Sequence, residues 1–566
     1  MKKFIICLLF VGLFSLMGIL NSSSAEAQES SSIDYVQKMG KGWNLGNSFD
    51  GFDLNNQHAY EEAWGNPRVT REFLKKIKQQ GFTSIRLPFS VINRQNTAGK
   101  IDPEFLARYK QVVDWAIAEG FYVMVNLHHD SWQWLAKWNG DKNQSEYLRY
   151  VTIWQQLANE FKDESGKVSF ESINEPTFEG SKEQANEKLK TINQAFYQTV
   201  RDSGGKNATR YLILPTLYCD ANPEAMNLLY QSILAFNDPY LIATVHYYSE
   251  WVYSNSLGII GFDDLLWDTT TSRKSADRLF QQMNEQLINR GIGVVIGEYG
   301  LLGYDRSEEA NDPGETYKYI EYMNKKASEN KVCLMLWDNG QHFDRLKNTW
   351  KKPFFGDIVT KSIDERSAYA TGYQHTFIKQ QTQQIDIPIT WNHHKLKNIQ
   401  YNGELLKEGS DYSSTTVGIT LLPHFVAQQK QGAFERKGTL TLVFDGGANW
   451  LQQIYYSKQS ELFDAKGDLG QTFTIPVKYN GQRFKNGSLK NANGQIISSN
   501  PWWNYLINYQ EFSPNYQKNN LTLSSDLTKL MQEGMTYTLT IQTYQGESYT
   551  YQIRVVNGQL IGKNFK

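Results

Sequence analysis

The spacing of apolar residues divides the chain into two parts with different expected secondary structure. Between about residues 33 and 369, short apolar runs alternate with longer amphipathic segments. The segments 71–80 and 105–119 repeat apolar residues every three or four positions, as helices do. Gly81 and Gly120 follow them, where a left-handed helix cap favours glycine. The apolar runs predict strands at 42–45, 82–87, 121–127, 168–173, 211–215, 240–246, 293–296 and 332–337.

The order of these elements predicts the fold class of the first part. Eight strand–helix repeats over residues 33–370 predict an α/β fold of the (β/α)8 TIM barrel type. A doubly wound open sheet is the alternative. It is disfavoured because no glycine-rich phosphate loop follows the first strand.

The second part is predicted to be β-rich. Beyond about residue 373 the helical spacing largely stops, and stretches such as 438–444 and 537–544 alternate with Asn-Gly and glycine-rich turns. This pattern predicts one or two β-sandwiches. With two, the junction falls near Ser460, and the sandwiches span 375–459 and 460–566.

The N-terminus predicts export from the cell. Met1-Lys2-Lys3 is positively charged, residues 4–20 are almost wholly apolar, and Ala25-Glu26-Ala27 fits a cleavage site. We therefore expect residues 1–27 to be a signal peptide and the protein to be extracellular. An uncleaved anchor is the alternative, since the apolar run is near the lower length for a spanning helix. No later segment is apolar for long enough to predict membrane association after cleavage.

Composition excludes some classes of function. A net charge of −1 without a basic run argues against a nucleic-acid partner. Cys7 belongs to the predicted signal peptide, which leaves Cys219 and Cys333. Two cysteines are too few to stabilise a chain of this length through disulfide bonds. They also lack the spacing of zinc ligands, so no metal is expected. The 15 Trp and 33 Tyr suit stacking on sugar rings, although they also fill ordinary cores.

Polar and titratable residues gather at the predicted C-terminal ends of the barrel strands. Active sites of TIM barrels lie at this end, whereas purely structural strand ends carry more mixed turn residues. The coincidence predicts an active site there. Its candidate residues, in strand order, are Asn44, Arg86, His128, His129, Asn174, Glu175, His246, Tyr248, Glu298 and Trp337.

Two of these residues suit the cleavage of a glycosidic bond. Glu175 and Glu298 end strands four and seven, which face each other across an eight-stranded barrel. One carboxyl group can protonate the leaving oxygen while the other meets the positive charge at the anomeric carbon. Retaining enzymes hold such a pair about 5–5.5 Å apart.

Each candidate also has a structural alternative. Glu175 could be a solvated residue before Pro176, and Arg86 could be the partner in a structural ion pair. The two histidines could be satisfied core residues or metal ligands, and Trp337 could fill the core. Their joint occurrence at matching strand ends favours the catalytic interpretation, and no His-x-x-x-His spacing supports a metal.

Three motifs in one order carry a family resemblance. With Asn174-Glu175-Pro176, His246-Tyr247-Tyr248 and Gly297-Glu298-Tyr299-Gly300, residues 33–367 resemble glycoside hydrolase family 5. Trp64-Gly65-Asn66-Pro67, together with residues 42–47, is similar to its subfamily 4, which contains bacterial endoglucanases and xyloglucanases. Such enzymes need no cofactor, since acid and nucleophile both belong to the protein.

The resemblance implies roles for the candidate residues. Glu175 would be the acid/base and Glu298 the nucleophile, with Arg86 and Tyr248 keeping Glu298 ionised. Glu175 would need a raised pKa, modulated by His246. Asn174 would bind the sugar 2-hydroxyl. The remaining implied sugar contacts are His128, His129, Asn44 and Trp337. The Trp337 ring would stack against the face of the sugar ring.

One departure concerns the aromatic lining of the cleft. The family often has a tryptophan shortly after strand two, where this chain has Phe89-Ser90-Val91-Ile92-Asn93. The departure puts the lining of one subsite in doubt and does not touch the catalytic pair.

The second part carries two further resemblances. Residues 380–457 are similar to immunoglobulin-like modules behind bacterial cellulases, through Asn402-Gly403 and Gly409-Ser410-Asp411-Tyr412. The last segment resembles carbohydrate-binding module family 46, most clearly at Asn500-Pro501-Trp502-Trp503. Adjacent tryptophans in a strand would point to opposite faces. Sugar stacking and an interface with the barrel both remain open for Trp502 and Trp503.

The combined expectation is a secreted, monomeric, retaining endo-β-1,4-glucanase that acts on β-glucan. A β-mannanase is one alternative, because mannan differs only in the orientation of the 2-hydroxyl. A non-catalytic carbohydrate-binding protein is another, although such a protein would typically have lost one of the two carboxylates. The sequence does not choose among xyloglucan, mixed-linkage glucan and cellulose.

Overall fold

The computed structural model describes residues 31–564 except 57, 97 and 308. The predicted signal peptide, residues 1–27, lies outside this part. Among the helices described, none combines the length and the apolar character that crossing a bilayer requires.

Eight parallel strands close into a barrel in sequence order, which confirms the predicted TIM barrel. All of the residues in β1, β2, β4, β5, β7 and β8 are buried, because helices cover the outside while side chains fill the inside. The strands are β1 Lys41–Asn44, β2 Ser84–Phe89, β3 Tyr122–Leu127, β4 Val168–Glu171, β5 Leu212–Pro215, β6 Leu241–Tyr247, β7 Gly293–Tyr299 and β8 Cys333–Leu336.

The helices follow the predicted amphipathic segments. The second helix, Arg71–Gln79, begins after Thr70, whose side chain accepts from the Phe73 amide, and it buries Phe73, Leu74 and Ile77. The α-helices of this part are α1 Ser32–Met39, α2 Arg71–Gln79, α3 Pro103–Ala118, α4 Asp130–Gln133, α5 Ser145–Phe161, α6 Lys182–Asp202, α7 Pro223–Phe236, α8 Trp251–Ser254, α9 Ser272–Gln286, α10 Pro313–Glu329 and α11 Pro353–Lys361.

Two β-sandwiches follow the barrel and a short hairpin, β9 Phe343–Asp344 and β10 Thr349–Trp350. The first sandwich has sheets β11-β13-β17-β16 and β12-β19-β18-β14-β15. Its elements are β11 Tyr369–Ala370, β12 His375–Ile378, β13 Ile385–Thr390, β14 Leu396–Tyr401, β15 Glu404–Leu405, β16 Tyr412–Thr415, β17 Gly418–Leu421, α12 Pro423–Gln429, β18 Arg436–Phe444 and β19 Trp450–Tyr456. Tyr369 and Ala370, placed at the end of the barrel by the sequence, pair with β13 in this sandwich.

The second sandwich has sheets β20-β22-β25-β24 and β21-β28-β27-β26-β23. Its core is a separate cluster that includes Phe473, Leu489, Leu539 and Ile553. Its elements are β20 Glu461–Leu462, β21 Ala465–Asp468, β22 Phe473–Lys478, β23 Phe484–Asn491, β24 Phe512–Asn515, β25 Asn520–Leu523, α13 Ser525–Thr528, β26 Thr536–Thr543, β27 Ser548–Val556 and β28 Gln559–Asn564.

The barrel and the first sandwich share one hydrophobic core. Tyr317 of α10 packs edge-on against Trp450 at a centroid distance of 5.2 Å, and its hydroxyl donates to the Ala448 carbonyl at 2.9 Å. Both residues belong to the same buried cluster as the barrel interior. Removing the sandwich would therefore expose part of the barrel's own core.

The second sandwich docks on the loop that follows β6. Asn486 donates its side-chain amide to the Gly258 carbonyl at 3.0 Å, and the Asn508 backbone amide donates to the Ser256 carbonyl at 3.0 Å. A Cβ atom at Gly258 would lie 2.4 Å from the Tyr505 side chain, so the backbones approach too closely for any larger residue. The same β6 carries the candidate residue His246 near its C-terminal end.

Candidate active site

A buried arginine within β2 connects several of the candidate residues. Arg86 is fully buried and donates Nη1 to Glu298 Oε1 at 2.6 Å and Nε to Glu171 Oε2 at 2.7 Å. It also donates Nη2 to Asn174 Oδ1 at 2.7 Å and Nη1 to Asn44 Oδ1 at 3.1 Å. Burial lowers the pKa of Arg86, but Glu171 and Glu298 outweigh burial and raise it. The guanidinium is therefore a permanent cation against Glu298.

Both carboxylate oxygens of Glu298 are held by donors. Oε1 accepts from Arg86, and Oε2 accepts from the Tyr248 hydroxyl at 2.6 Å. The register of β7 shifts against both of its neighbours near this residue, and such irregularities re-aim side chains next to active sites. A Cβ at Gly297 would lie 2.9 Å from Thr244 Oγ1, so the strand needs glycine just before the glutamate.

Glu175 follows β4 in an unusual backbone conformation and pairs with a histidine. Its φ is +37°, a value that non-glycine residues rarely adopt. Oε1 of Glu175 lies 2.8 Å from His246 Nδ1, while the same nitrogen lies 3.7 Å from Glu298 Oε2. One oxygen from each glutamate and a nitrogen of His246 all lie within 4.8 Å of one another.

The pKa of Glu175 differs in direction from the expectation. Burial raises it, but the hydrogen bond and charge of His246 outweigh burial and lower it below its ordinary value. Burial lowers the pKa of His246, whereas Cys219, Glu298 and Glu175 raise it well above its ordinary value. The two side chains are hydrogen-bonded between Nδ1 and Oε1, and they titrate as a pair.

Two histidines and a tryptophan form one wall of the site. His128 and Trp337 are parallel, with ring centroids 5.6 Å apart and an interplanar angle of 6°. His128 Nδ1 lies 2.7 Å from Asn126 Oδ1, and His129 Nε2 lies 3.2 Å from Asp50 Oδ2. Burial, followed by the neighbouring His129 and Arg86, lowers the pKa of His128 well below its ordinary value. His128 is therefore a neutral hydrogen-bonding group.

Two tryptophans extend this wall. Trp64 and Trp132 are 40% and 37% exposed, and their ring centroids lie 4.9 and 4.7 Å from that of His129. Their exposed faces provide aromatic surface near Ser90 of the segment after β2, since the His129 amide donates to Ser90 Oγ at 3.0 Å. A Cβ at Gly46 would lie 2.8 Å from the Trp337 ring, so a larger residue at this position would clash with Trp337.

The structure places the two candidate asparagines in the Arg86 network. Asn44 is fully buried, and its Nδ2 donates to the Gly297 carbonyl at 2.9 Å while its Oδ1 accepts from Arg86. We propose that Asn44 positions Arg86 and the Glu298 strand rather than contacting sugar. Asn174 has its oxygen fixed by Arg86, which leaves the Nδ2 group as the donor available to a hydroxyl.

Two groups of side chains have the spacing of possible metal ligands in the described part of the chain. One is Asp50, His128 and His129, and the other is Glu175, His246 and Glu298. In the first group Asp50 already accepts from the backbone amides of Asn47 and Ser48, at 3.1 and 2.8 Å. Absence of a metal stays a prediction.

Glu171 belongs to the Arg86 network, and the sequence did not single it out. It is fully buried on β4, four positions before Glu175, and forms an ion pair with Arg86. Its Oε1 is buried without a hydrogen-bond partner among the described residues. A carboxylate inside a predicted buried strand was the available signal, since buried charges are normally paired.

Trp502 and Trp503 lie in a turn between β23 and β24, so the assumption of a strand at this pair is wrong. Pro501, which cannot donate in a sheet, explains the difference. Trp503 is partly buried and donates Nε1 to the Leu257 carbonyl of the barrel loop at 2.8 Å. Trp502 is 61% exposed. The two open interpretations thus separate: Trp503 lies in the interface, and Trp502 offers a free face.

Comparisons with known proteins agree with this architecture. Residues 45–343 match the family described as cellulase (glycosyl hydrolase family 5), residues 371–454 match carbohydrate binding domain X2, and residues 458–563 match the carbohydrate binding domain of family 46. Endoglucanase B of Paenibacillus lautus is 32% identical over 96% of this chain and 95% of its own length.

Solved structures extend the likeness to the whole chain. The tri-modular endo-beta-1,4-glucanase B from Bacillus halodurans matches with a TM-score of 0.87 and 33% identity, over 95% of this chain and 100% of that one. A tri-modular family 5 subfamily 4 endo-beta-1,4-glucanase from Bacillus licheniformis, complexed with cellotetraose, matches with a TM-score of 0.76 and 25% identity over the same shares. This chain belongs to glycoside hydrolase family 5 and is an endoglucanase-type enzyme whose barrel is followed by an X2 module and a family 46 carbohydrate-binding module.

Proposed function

We propose that the enzyme is a retaining endo-β-1,4-glucanase that cleaves internal bonds of β-glucan by double displacement. The observation that carries this proposal is the closeness of Glu175 and Glu298, which each place an oxygen within 4.8 Å of the other and of His246. Retaining enzymes hold their carboxyl groups about 5–5.5 Å apart, whereas inverting enzymes need about 6.5–9.5 Å to admit a water molecule.

In the first step Glu298 attacks the anomeric carbon. Its two oxygens are fixed by Arg86 and Tyr248, so the carboxylate is oriented before substrate arrives. The new bond joins a Glu298 oxygen to the anomeric carbon, while the bond from that carbon to the glycosidic oxygen breaks. The proton held by the Glu175–His246 pair passes through Glu175 to the leaving oxygen.

In the second step a water molecule replaces the departed sugar. Glu175, now deprotonated, removes a proton from the water as the water oxygen bonds to the anomeric carbon. The ester bond to Glu298 breaks, and the carboxylate returns to its contacts with Arg86 and Tyr248. His246 supports both steps because it lies against Glu175 at 2.8 Å and Glu298 at 3.7 Å.

The surroundings of the pair favour a glucan chain as substrate. Trp337 and His128 form a parallel pair of rings, and Trp64 and Trp132 add exposed aromatic faces beside His129. Aromatic faces stack on the apolar faces of sugar rings. The cellotetraose in the relative from Bacillus licheniformis supports β-1,4-linked glucose as the repeating unit.

We further propose that Trp502 contributes to binding of long or branched chains, since it is exposed and its neighbour Trp503 anchors the module to the barrel loop. We also propose that residues 1–27 are cleaved on export and that the enzyme acts as a monomer.

The test is initial-rate hydrolysis of cellulose, mixed-linkage glucan, xyloglucan and β-mannan. A glucanase cleaves one or more of the glucans much faster than mannan, while preference for mannan or no hydrolysis at all would contradict the proposal.

A second experiment tests the family 46 module. Trp502→Ala should lower the rate of hydrolysis of polymers and leave the rate on short soluble oligosaccharides unchanged. Phe463→Ala removes another exposed aromatic side chain of the same module and is the matched control. Single substitutions are preferable to truncation, which would expose Tyr317 and its neighbours.

A further inference from the structure

A cavity of about 600 Å³ lies where the three modules meet, and no predicted active-site residue lines it. The barrel contributes Glu309, the X2 module contributes Arg436 and Tyr455, and the family 46 module contributes Arg483 and Tyr516. A second cavity of about 250 Å³ is lined by four of these same residues and adjoins the first. Binding pockets for small molecules have volumes of about 300–1,000 Å³.

Contacts between modules hold the walls of this junction cavity in place. The Arg483 guanidinium lies 4.1 Å from the centroid of the Tyr516 ring, and its Nη2 lies 3.6 Å from Glu309 Oε2. The Tyr509 hydroxyl donates to the same Glu309 oxygen at 3.1 Å. A Cβ at Gly481 would lie 2.1 Å from the Tyr456 carbonyl, so the two sandwiches meet backbone to backbone. The junction cavity is therefore preformed.

Tyr509 is held in a strained conformation at the edge of the cavity. Its φ is +58°, which is unusual for an aromatic residue, and its amide donates to the Phe512 carbonyl at 2.8 Å. Strained residues cluster at binding sites. Among the described residues, the ring contacts in this cavity join Tyr516 to Tyr479 and to Arg483, and none involves the ring of Tyr509. Tyr509 is partly exposed and lines the cavity, where its ring can contact a ligand.

The charges and polar groups of the lining indicate the class of ligand. Two carboxylates, Glu309 and Glu435, balance two guanidinium groups, Arg436 and Arg483, so the lining favours neither an anion nor a cation. The β24–β25 hairpin adds the amide side chains Asn515, Gln517 and Asn519. Aromatic rings combined with amides and balanced charges suit a neutral ligand with many hydroxyl groups and apolar faces.

We propose that the junction cavity binds a short segment of neutral oligosaccharide built from hexopyranose rings, with one ring against Tyr509. This site is separate from the catalytic cleft and does not depend on which glutamate acts as nucleophile. Holding a second segment of a polymer would raise its effective concentration at the cleft.

The test is isothermal titration of cellohexaose into the full chain carrying Glu298→Gln, which prevents turnover. Gln517→Trp places a bulky ring at an exposed position that lines the cavity, and Lys518→Trp places the same ring at the next exposed position, which does not line it. Tyr509→Ala removes the proposed platform, whereas Tyr509→Phe keeps the ring. Comparable melting temperatures establish that the variants fold.

We expect the Glu298→Gln chain to bind two equivalents of cellohexaose. Gln517→Trp should abolish the second site, and Tyr509→Ala should weaken it roughly tenfold. Lys518→Trp and Tyr509→Phe should retain both sites. A single equivalent in the Glu298→Gln chain, or two unaltered sites in both Gln517→Trp and Tyr509→Ala, would overturn the proposal. The lack of turnover in the Glu298→Gln chain rests on the proposed function, and product analysis of the titrated sample verifies it. The number of binding sites itself does not depend on the retaining mechanism.

Discussion

Glu171 Oε2 lies 2.7 Å from Arg86 Nε, and both side chains are fully buried. The same guanidinium donates Nη1 to Glu298 Oε1 at 2.6 Å. One cation therefore joins two buried carboxylates, of which Glu298 is 6% exposed and Glu171 is fully buried. Burial raises the pKa of Glu171, whereas Arg86 lowers it. Glu171 thus fixes the direction in which Arg86 presents its remaining donors.

The first prediction concerns the ion pair between Glu171 and Arg86. Glu171→Gln keeps the shape of the side chain and removes its charge, which leaves Arg86 with fewer restraints. We expect the free energy of unfolding to fall by about 3 kcal/mol, as for a broken buried ion pair. We also expect kcat/KM to fall about tenfold, since small displacements of positioned groups are costly.

A matched control separates the two effects. Glu61 accepts from Arg108 Nε at 2.8 Å and Nη2 at 2.9 Å in a buried pair of the same barrel. Glu61→Gln should lower stability without changing kcat/KM measured per folded molecule. Unchanged kcat/KM in Glu171→Gln would show that Glu171 only stabilises the fold.

The second prediction distinguishes the proposed roles of Glu175 and Glu298. A general acid is needed only when the leaving group is poor. Glu175→Ala should therefore lose about 10²–10⁴-fold in rate on polymer while still forming the glycosyl–enzyme from a dinitrophenyl cellobioside. Glu298→Gln should lose turnover of both substrates and retain binding. Burst kinetics of dinitrophenol release provide the measurement, and equal losses on both substrates in Glu175→Ala would contradict its role.

The third prediction concerns stability and pH. Glu315 of α10 accepts from the Phe262 amide at 2.8 Å and from Lys318 Nζ at 2.7 Å. Burial raises its pKa from 4.5 to about 7, although Lys318 opposes this change. The folded state therefore binds this proton more tightly than the unfolded state. The resulting stability is present below about pH 4.5 and is lost as the pH rises to about 7.

Glu315→Gln cannot titrate and should remove this dependence. Relative to the variant, the parent enzyme should lose roughly 3 kcal/mol of unfolding free energy between about pH 4.5 and pH 8. Thermal unfolding of both proteins at several pH values measures the difference. A constant difference across this range would show that Glu315 does not titrate with a raised pKa.

Much of the fold could be predicted, and the candidate catalytic pair could be proposed, because their signals are local. The alternation of apolar runs and amphipathic segments follows directly from covering a parallel barrel with helices. Glu175 and Glu298 were visible because each lies at the C-terminal end of a predicted strand, on the face where barrel sites lie. The number of residues between them in the sequence did not predict the distance between their carboxyl groups, because that distance depends on how the barrel closes.

Other features depend on partners that are distant in sequence. The burial of Asn44 within the Arg86 network requires Gly297, more than 250 positions away. The lowered pKa of Glu175 arises from His246, 71 positions away. Glu171 appeared to be one more residue of a buried strand, since its partner Arg86 lies on another strand. Pro501 explains the turn at Trp502 locally, because a proline disfavours a strand more strongly than the adjacent tryptophans favour one.

The stereochemistry of the first product tests the central claim most directly. Hydrolysis of a β-glucan oligosaccharide is followed by NMR, and the anomeric configuration of the new reducing end is recorded before mutarotation. The double displacement by Glu298 and Glu175 predicts the β-anomer as the initial product. Initial release of the α-anomer would contradict a retaining mechanism and the assignment of Glu298 as nucleophile.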